Sequence, residues 1–109
     1  MNPVPRGRGH TLDGGSEKRQ FKVNARCNEL LDEYSVRAGL ANRSEALRAL
    51  IEQAPDPARA ATTPAPSDGT YGLYVLSRNN RPMLARIQTQ TGLRDASATV
   101  RWLIESSRA

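Results

Sequence analysis

Two stretches of this chain share one pattern, GLANRSEALRALIE at residues 39–52 and GLRDASATVRWLIE at residues 92–105. Both contain G-L-x-x-x-S-x-x-x-R-x-L-I-E. A shift of 53 positions aligns residues 20–54 with residues 73–107 without a gap. Self-similarity at a fixed period is the sequence signature of a repeated supersecondary unit. We therefore expect two copies of one short unit.

The first copy predicts a strand followed by two helices. Residues 20–26 (QFKVNAR) alternate polar and apolar side chains, which is typical of a strand with one covered face. A helix is expected over about 28–38, and Gly39 stands where it would end in the left-handed conformation. Asn42 then caps a second helix, and Glu45, three residues on, can complete a capping box.

A unit of about 35 residues with a single strand cannot bury a core or close its sheet edges alone. Two strands forming an antiparallel ribbon over four helices are the economical solution. The expected fold class is mostly α with a short β-ribbon, built from two tandem β-α-α units. From its sequence, the chain is expected to divide into a disordered basic arm (1–17), unit 1 (18–54), a flexible Pro/Ala-rich linker (55–69) and unit 2 (70–109).

The strand at 20–24 and the helix start within 39–47 resemble the ribbon-helix-helix (Arc/MetJ-type) DNA-binding family. In that family, paired strands enter the major groove and the second helix presents its N-terminus to phosphate. The resemblance covers nearly all of unit 1 and, more loosely, unit 2. It implies sequence-specific binding of double-stranded DNA, by a transcriptional repressor or by a plasmid or phage accessory factor for relaxosome, partition or copy control.

Alternation assigns the strand's side chains to two faces. The outward side chains are Gln20, Lys22 and Asn24. The core-facing side chains are Phe21, Val23 and Ala25. The resemblance implies that the outward three read base edges, because lysine offers donors to guanine while glutamine and asparagine can bond adenine bidentately. The alternative is a merely solvated strand face.

Two further groups of residues are expected to contact the DNA backbone. The resemblance implies a phosphate site at the start of the second helix, formed by first-turn amides with Asn42, Arg43 and Ser44. Basic residues near the strand add candidate backbone contacts, namely Lys18, Arg19 and Arg26.

Unit 2 departs from this pattern. Leu73, Val75 and Ser77 stand where unit 1 has its outward polar residues, and Leu and Val cannot read hydrogen-bonding base edges. Asp95 replaces the capping asparagine, and a carboxylate there repels phosphate. Unit 2 is therefore interpreted as an assembly unit and as a candidate surface for a protein partner.

Two arrangements of the units are compatible with this pattern. The two units can pair within one chain, as in relaxosome proteins of this fold, or each can pair with its like in a second chain. The mismatch between the two strand faces favours pairing between chains. A homo-oligomer, a dimer or higher, is then expected.

Composition supports a polyanionic partner. The chain has 109 residues with 16 Lys+Arg against 11 Asp+Glu, a formal net charge of +5 and a pI near 10.1. An aromatic content of only 5% argues against a single-strand binder, which needs aromatic stacking platforms.

The remaining composition disfavours catalysis. Cys27 and His10 are the only residues of their types, so an internal disulfide, a Cys/His metal site and the common nucleophile–base pairs are not expected. No enzymatic activity, cofactor or metal is expected, nor is membrane association, and the expected compartment is the cytoplasm. The main alternative function is an antitoxin-type protein whose second unit binds a protein partner.

Overall fold

The computed structural model describes residues 15–54 and 64–107 of the chain. Its elements, in chain order, are β1 (Ser16–Val23), α1 (Ala25–Ala38), α2 (Arg43–Glu52), β2 (Thr70–Ser77), α3 (Asn80–Thr91) and α4 (Ala96–Ser106). The described residues thus form a mixed α/β structure with one two-stranded antiparallel sheet and four helices. Most of the predicted arm (1–14) and much of the predicted linker (55–63) lie outside the described residues.

The two strands of the sheet belong to the same chain. β1 pairs antiparallel with β2 along its whole length, so that Gln20 lies opposite Leu73 and Lys22 lies opposite Tyr71. The sequence-based preference for pairing between chains is therefore wrong. One chain completes the ribbon because both strands place their covered faces on the same core.

That core draws on every element. Phe21 and Val23 of β1 are buried, as predicted, and they meet Tyr74 and Leu76 of β2 in one cluster with helix residues. The apolar positions predicted for the second helix are also buried, namely Ala46, Leu47, Leu50 and Ile51. Trp102 on α4 is only 4% exposed, which makes it a core residue. A single core shared by both halves means that neither half is a separate folding unit.

The start of α1 departs from the prediction. The helix begins at Ala25 rather than near Asn28, because the Asn24 side chain caps it by accepting a hydrogen bond from the Cys27 amide at 2.9 Å. Ala25 is consequently an exposed helical residue, and its predicted place in the core is wrong. The helix ends as predicted, with Gly39 at a φ of 70°.

The second helix begins as predicted. Asn42 accepts a hydrogen bond from the Glu45 amide at 2.9 Å, and the Glu45 carboxylate reaches back to accept from the Ala41 amide at 3.1 Å. The two bonds resemble a capping box, except that Glu45 accepts from the amide of Ala41 instead of the amide of the cap residue Asn42. The cap fixes where α2 starts, and thereby which of its residues meet the sheet.

Two predicted boundaries need correction. β1 begins at Ser16, so residues 15–17 belong to the folded part rather than to the arm; the Arg78 amide also donates to the Gly15 carbonyl at 3.0 Å. Residues 64–69, the part of the predicted flexible linker that the structure describes, are held by hydrogen bonds. Ser67 donates to the Val23 carbonyl at 2.7 Å, and Asp68 accepts from the Ala25 amide at 3.0 Å. These bonds lead the chain directly into β2.

Candidate nucleic-acid interface

One face of the ribbon is turned away from the helices. Because directly paired residues of an antiparallel ribbon share a face, the register places six of its side chains together. They are Lys18, Gln20, Lys22, Tyr71, Leu73 and Val75, and we call them the outer ribbon face. Its two charged side chains are both lysines, and the described strand residues contribute no carboxylate to it. Glu17 of β1 lies on the opposite face.

The backbone of Lys22 is held by α4. The Ser97 hydroxyl accepts a hydrogen bond from the Lys22 amide at 3.0 Å, and the Arg101 guanidinium donates to the Lys22 carbonyl at 2.7 Å. Both backbone groups of Lys22 are therefore satisfied at the outer edge of β1, while its side chain is exposed. The fold fixes the position of this residue without engaging its backbone in ladder bonds to β2.

Val75 is held in the same way by α2. The Ser44 hydroxyl accepts from the Val75 amide at 2.9 Å, and Arg48 donates to the Val75 carbonyl at 2.6 Å. Arg48 is only 7% exposed, and burial lowers its pKa while the neighbouring Glu45 and Glu52 carboxylates oppose that shift. We call the two arrangements the serine–arginine clamps. Each covers an outer edge of the ribbon that would otherwise present unpaired backbone groups.

Sequence reasoning missed these clamps, although their signal was present. Ser44 and Arg48 align with Ser97 and Arg101 under the shift of 53 positions, and both pairs are four residues apart, on one face of a helix. Ser44 was instead predicted to bind phosphate. Its hydroxyl already accepts from the Val75 amide, so its observed role is to hold β2.

The structure separates the three predicted base-reading residues. Gln20 and Lys22 lie exposed on the outer ribbon face, as predicted. Asn24 does not: it follows the end of β1, is only 7% exposed, and its amide group donates to the Pro66 carbonyl at 3.0 Å. Because the same side chain also caps α1, the predicted placement of Asn24 on the outward face is wrong.

The three candidate backbone-contacting residues also separate. Lys18 lies exposed on the outer ribbon face. Arg19 lies on the opposite face, where its guanidinium sits 5.2 Å from the centre of the Phe21 ring. Arg26 belongs to α1 and forms an ion pair with Glu29 at 2.9 Å, which disfavours an additional phosphate there. Of these three residues, Lys18 is thus the one that lies on the same face as Gln20 and Lys22.

The predicted phosphate site at the start of α2 has internal partners. The Arg43 guanidinium donates two hydrogen bonds to Asp32, at 2.7 and 2.8 Å, which lowers the pKa of that carboxyl and raises the pKa of Arg43. Asn42 uses its side-chain oxygen as the helix cap. Arg43 nevertheless remains exposed, beside the strand edge that Ser44 holds.

An open groove of about 830 Å³ lies between β1 and the start of α4. The basic residues that line it are Arg19, Lys22, Arg94 and Arg101. Its carboxylate, Asp95, accepts the Ala98 amide at 2.7 Å as the helix cap. Arg19 also forms an ion pair with Glu17 at 3.5 Å, so Lys22, Arg94 and Arg101 against one capped carboxylate give this groove its positive potential. Sequence reasoning did not anticipate the groove, because it is formed between elements of the two halves.

Comparisons of this chain with protein-family models, with curated proteins and with solved structures find no match. Across residues 15–54 and 64–107, no three His, Cys, Asp or Glu side chains cluster as metal ligands. Within the same ranges, every helix is too short or too polar to cross a bilayer. The outer ribbon face and its surroundings are the candidate functional site.

Proposed function

We propose that this chain binds double-stranded DNA sequence-specifically by placing the outer ribbon face in the major groove, and acts as a transcriptional repressor or as a plasmid or phage accessory factor. In this proposal, each β-α-α half is a ribbon-helix-helix unit, and the two units form one reading head. One observation carries the proposal. The backbone amide and carbonyl of Lys22 are both hydrogen-bonded to α4, while its side chain is exposed beside that of Gln20.

The dimensions of the ribbon suit the proposal. Paired strands lie about 4.8 Å apart, and the major groove of B-DNA is about 12 Å wide and admits a two-stranded ribbon. A ribbon of 8 residues per strand then presents its outer face along the groove floor. The absence of carboxylates from that face among the described strand residues removes the repulsion that would oppose such docking.

The clamps favour base recognition by Lys22 and Gln20. A reading side chain discriminates between bases only if its backbone is held in a defined position, and Ser97 and Arg101 supply that constraint for Lys22. Lysine then donates to guanine O6 or N7, and glutamine can bond adenine N6 and N7. In this view, the second half contributes directly to reading by fixing the strand of the first.

The surroundings of the ribbon suit the DNA backbone. Through the clamps, α2 and α4 begin alongside the two outer edges of the ribbon, so a ribbon in the groove brings both helix starts toward the flanking phosphates. At α4, the capping Asp95 carboxylate opposes such a contact. Arg94 is exposed at the start of α4, whereas Arg43, exposed at the start of α2, would have to exchange its Asp32 partner for a phosphate. Such contacts set the position on the duplex and make binding dependent on salt, whereas the ribbon supplies the sequence preference.

The decisive experiment is selection of bound duplexes from a random-sequence pool by the full chain at near-physiological salt. A short recurring motif is expected. Lys22→Ala should then reduce discrimination at one position of that motif by roughly 5- to 150-fold, the worth of a good base contact at about 1–3 kcal/mol. The exposed side chain makes this variant compatible with the native fold, which circular dichroism can verify.

Arg26→Ala is the matched control, because it also removes one positive charge but lies on α1 beside Glu29. It should leave the motif unchanged. An unaltered preference in Lys22→Ala would show that the ribbon does not read bases. Recovery of no DNA at all would overturn the proposal and favour a protein partner at the exposed Tyr71 and Leu73.

The ribbon needs no second copy to be complete, since both strands come from one chain. Self-association would then serve cooperative binding along DNA rather than formation of the reading surface. Sedimentation of the chain with and without the selected duplex measures the number of copies directly.

A further inference from the structure

The outer ribbon face is divided lengthwise into a polar half and an apolar half. β1 contributes Lys18, Gln20 and Lys22, whereas β2 contributes Tyr71, Leu73 and Val75. Leu73 is 63% exposed and Tyr71 is 56% exposed, which places both among the most exposed large apolar side chains of the described residues. Two such side chains in one row favour a partner that accepts apolar contact beside lysines.

The register determines what that partner must be. Leu73 lies opposite Gln20, and Tyr71 lies opposite Lys22, so each apolar group is next to a polar or cationic one across the ribbon. A protein docked on the apolar row would also have to bury the row of β1, with two lysines of the same sign. The major groove matches both rows, because it offers acceptor atoms to the lysines and, at thymine, an apolar C5-methyl group.

We propose that the β2 half of the outer ribbon face reads thymine methyl groups, with Leu73 as the principal contact, so that the target is a non-palindromic DNA site. The inference depends on the proposed function, since it assigns bases to a ribbon already placed in the groove. The guanine and adenine contacts of β1 lie along one side of the groove, and thymines lie against β2 along the other side. The site has no dyad, because a single chain supplies two unlike strands.

Leu73 is the principal contact for two reasons. It is the most exposed of the three apolar residues, and it lies near the middle of β2, opposite Gln20. Val75 is half-buried and has its backbone held by Ser44 and Arg48, so its position is fixed but its reach is shorter. Burying one methyl group is worth about a fourfold change in affinity, and that increment is the signal to measure.

The experiment replaces thymine by 2′-deoxyuridine, one position at a time, in the duplex selected by the full chain. This change removes only the C5-methyl group and keeps the base pair and its hydrogen-bonding edge. Affinity is measured by fluorescence anisotropy for the wild-type chain, for Leu73→Ala and for Lys18→Ala. We expect about a fourfold loss per contacted methyl in the wild type. In Leu73→Ala, the loss should disappear at the thymine that Leu73 contacts, whereas Lys18→Ala should retain it.

The outcomes distinguish this inference from the proposed function. If the chain binds a selected motif tightly and no replacement of thymine by deoxyuridine lowers the affinity, the proposed contacts to thymine methyl groups are wrong, whereas the proposed DNA binding still holds. A palindromic motif bound by a single copy of the chain would overturn the asymmetric site. An undiminished uracil effect in Leu73→Ala would overturn the assignment to β2. Failure to select any duplex would overturn the proposed function itself, and the inference with it.

Discussion

Gly72 of β2 provides a sharp test of the core geometry. It is buried on the covered face of the ribbon, opposite Phe21, and the ring of Tyr74 folds back across it. A Cβ atom at Gly72 would overlap that ring at its hydroxyl end. The φ angle of Gly72 is not in the left-handed region, so Gly72→Ala introduces a steric conflict without backbone strain.

The size of the effect depends on whether Tyr74 can move. Its side chain is 2% exposed, its hydroxyl donates to Asn28 at 3.2 Å, and its ring centroid lies 6.3 Å from that of Phe21. A ring that is buried, hydrogen-bonded and packed beside Phe21 must shift against these neighbours, and overpacking of this kind costs about 1–3 kcal/mol. At about 4–8 °C per kcal/mol for a domain of this size, Gly72→Ala should lower Tm by roughly 5–20 °C.

Thermal unfolding followed by circular dichroism measures this change. The control is the same substitution in a Tyr74→Leu background, where the ring end is gone. There, Gly72→Ala should be neutral or raise stability by about 0.4–1 kcal/mol, because alanine restricts the unfolded chain. An unchanged or higher Tm for Gly72→Ala in the otherwise native chain would refute the placement of the Tyr74 ring over Gly72.

Three further predictions concern stability. Burial raises the pKa of Tyr74 from 10.0 to about 12, so the folded state keeps the phenol proton longer than the unfolded chain does. Stability should therefore fall by up to about 3 kcal/mol as pH rises from about 10 to 12, a slope that chemical denaturation would show and that Tyr74→Phe should flatten. Leu50→Ala should cost about 2–5 kcal/mol, because Leu50 is 7% exposed in the core; normal melting would mean that its core assignment is wrong. Ser97→Ala should cost about 1 kcal/mol and speed hydrogen exchange at the Lys22 amide, whereas Ser44→Ala should leave that amide unaffected.

Local signals explain what the sequence predicted well. The start of α2 follows from Asn42 and Glu45, the end of α1 follows from Gly39, and the core positions of α2 follow from helical spacing. Each depends on residues within one or two turns of one another, so no knowledge of distant contacts is required. The outward direction of Gln20 and Lys22 follows likewise from the strand period.

Long-range contacts explain what the sequence could not predict. Alternation alone extends β1 through Asn24, but the bond from Asn24 to the Pro66 carbonyl joins residues that are 42 positions apart. The same applies to the pairing of β1 with β2. A sequence pattern indicates that a strand needs a partner, yet it does not say which chain supplies it.

The two halves share the residues that hold each other's strands, but they differ in the residues of the outer ribbon face. Among the residues shared under the shift of 53 positions are the clamp pairs, Ser44 with Arg48 and Ser97 with Arg101, and each pair grips the strand of the other half. On the outer ribbon face, by contrast, leucine and valine of β2 stand where β1 has glutamine and lysine. Reciprocal clamping makes each strand depend on the opposite half, so removing residues 70–109 would take away both the partner of β1 and the clamp on Lys22. The expected consequence is loss of the fold rather than loss of assembly alone, so the outer ribbon face depends on both halves of the described chain.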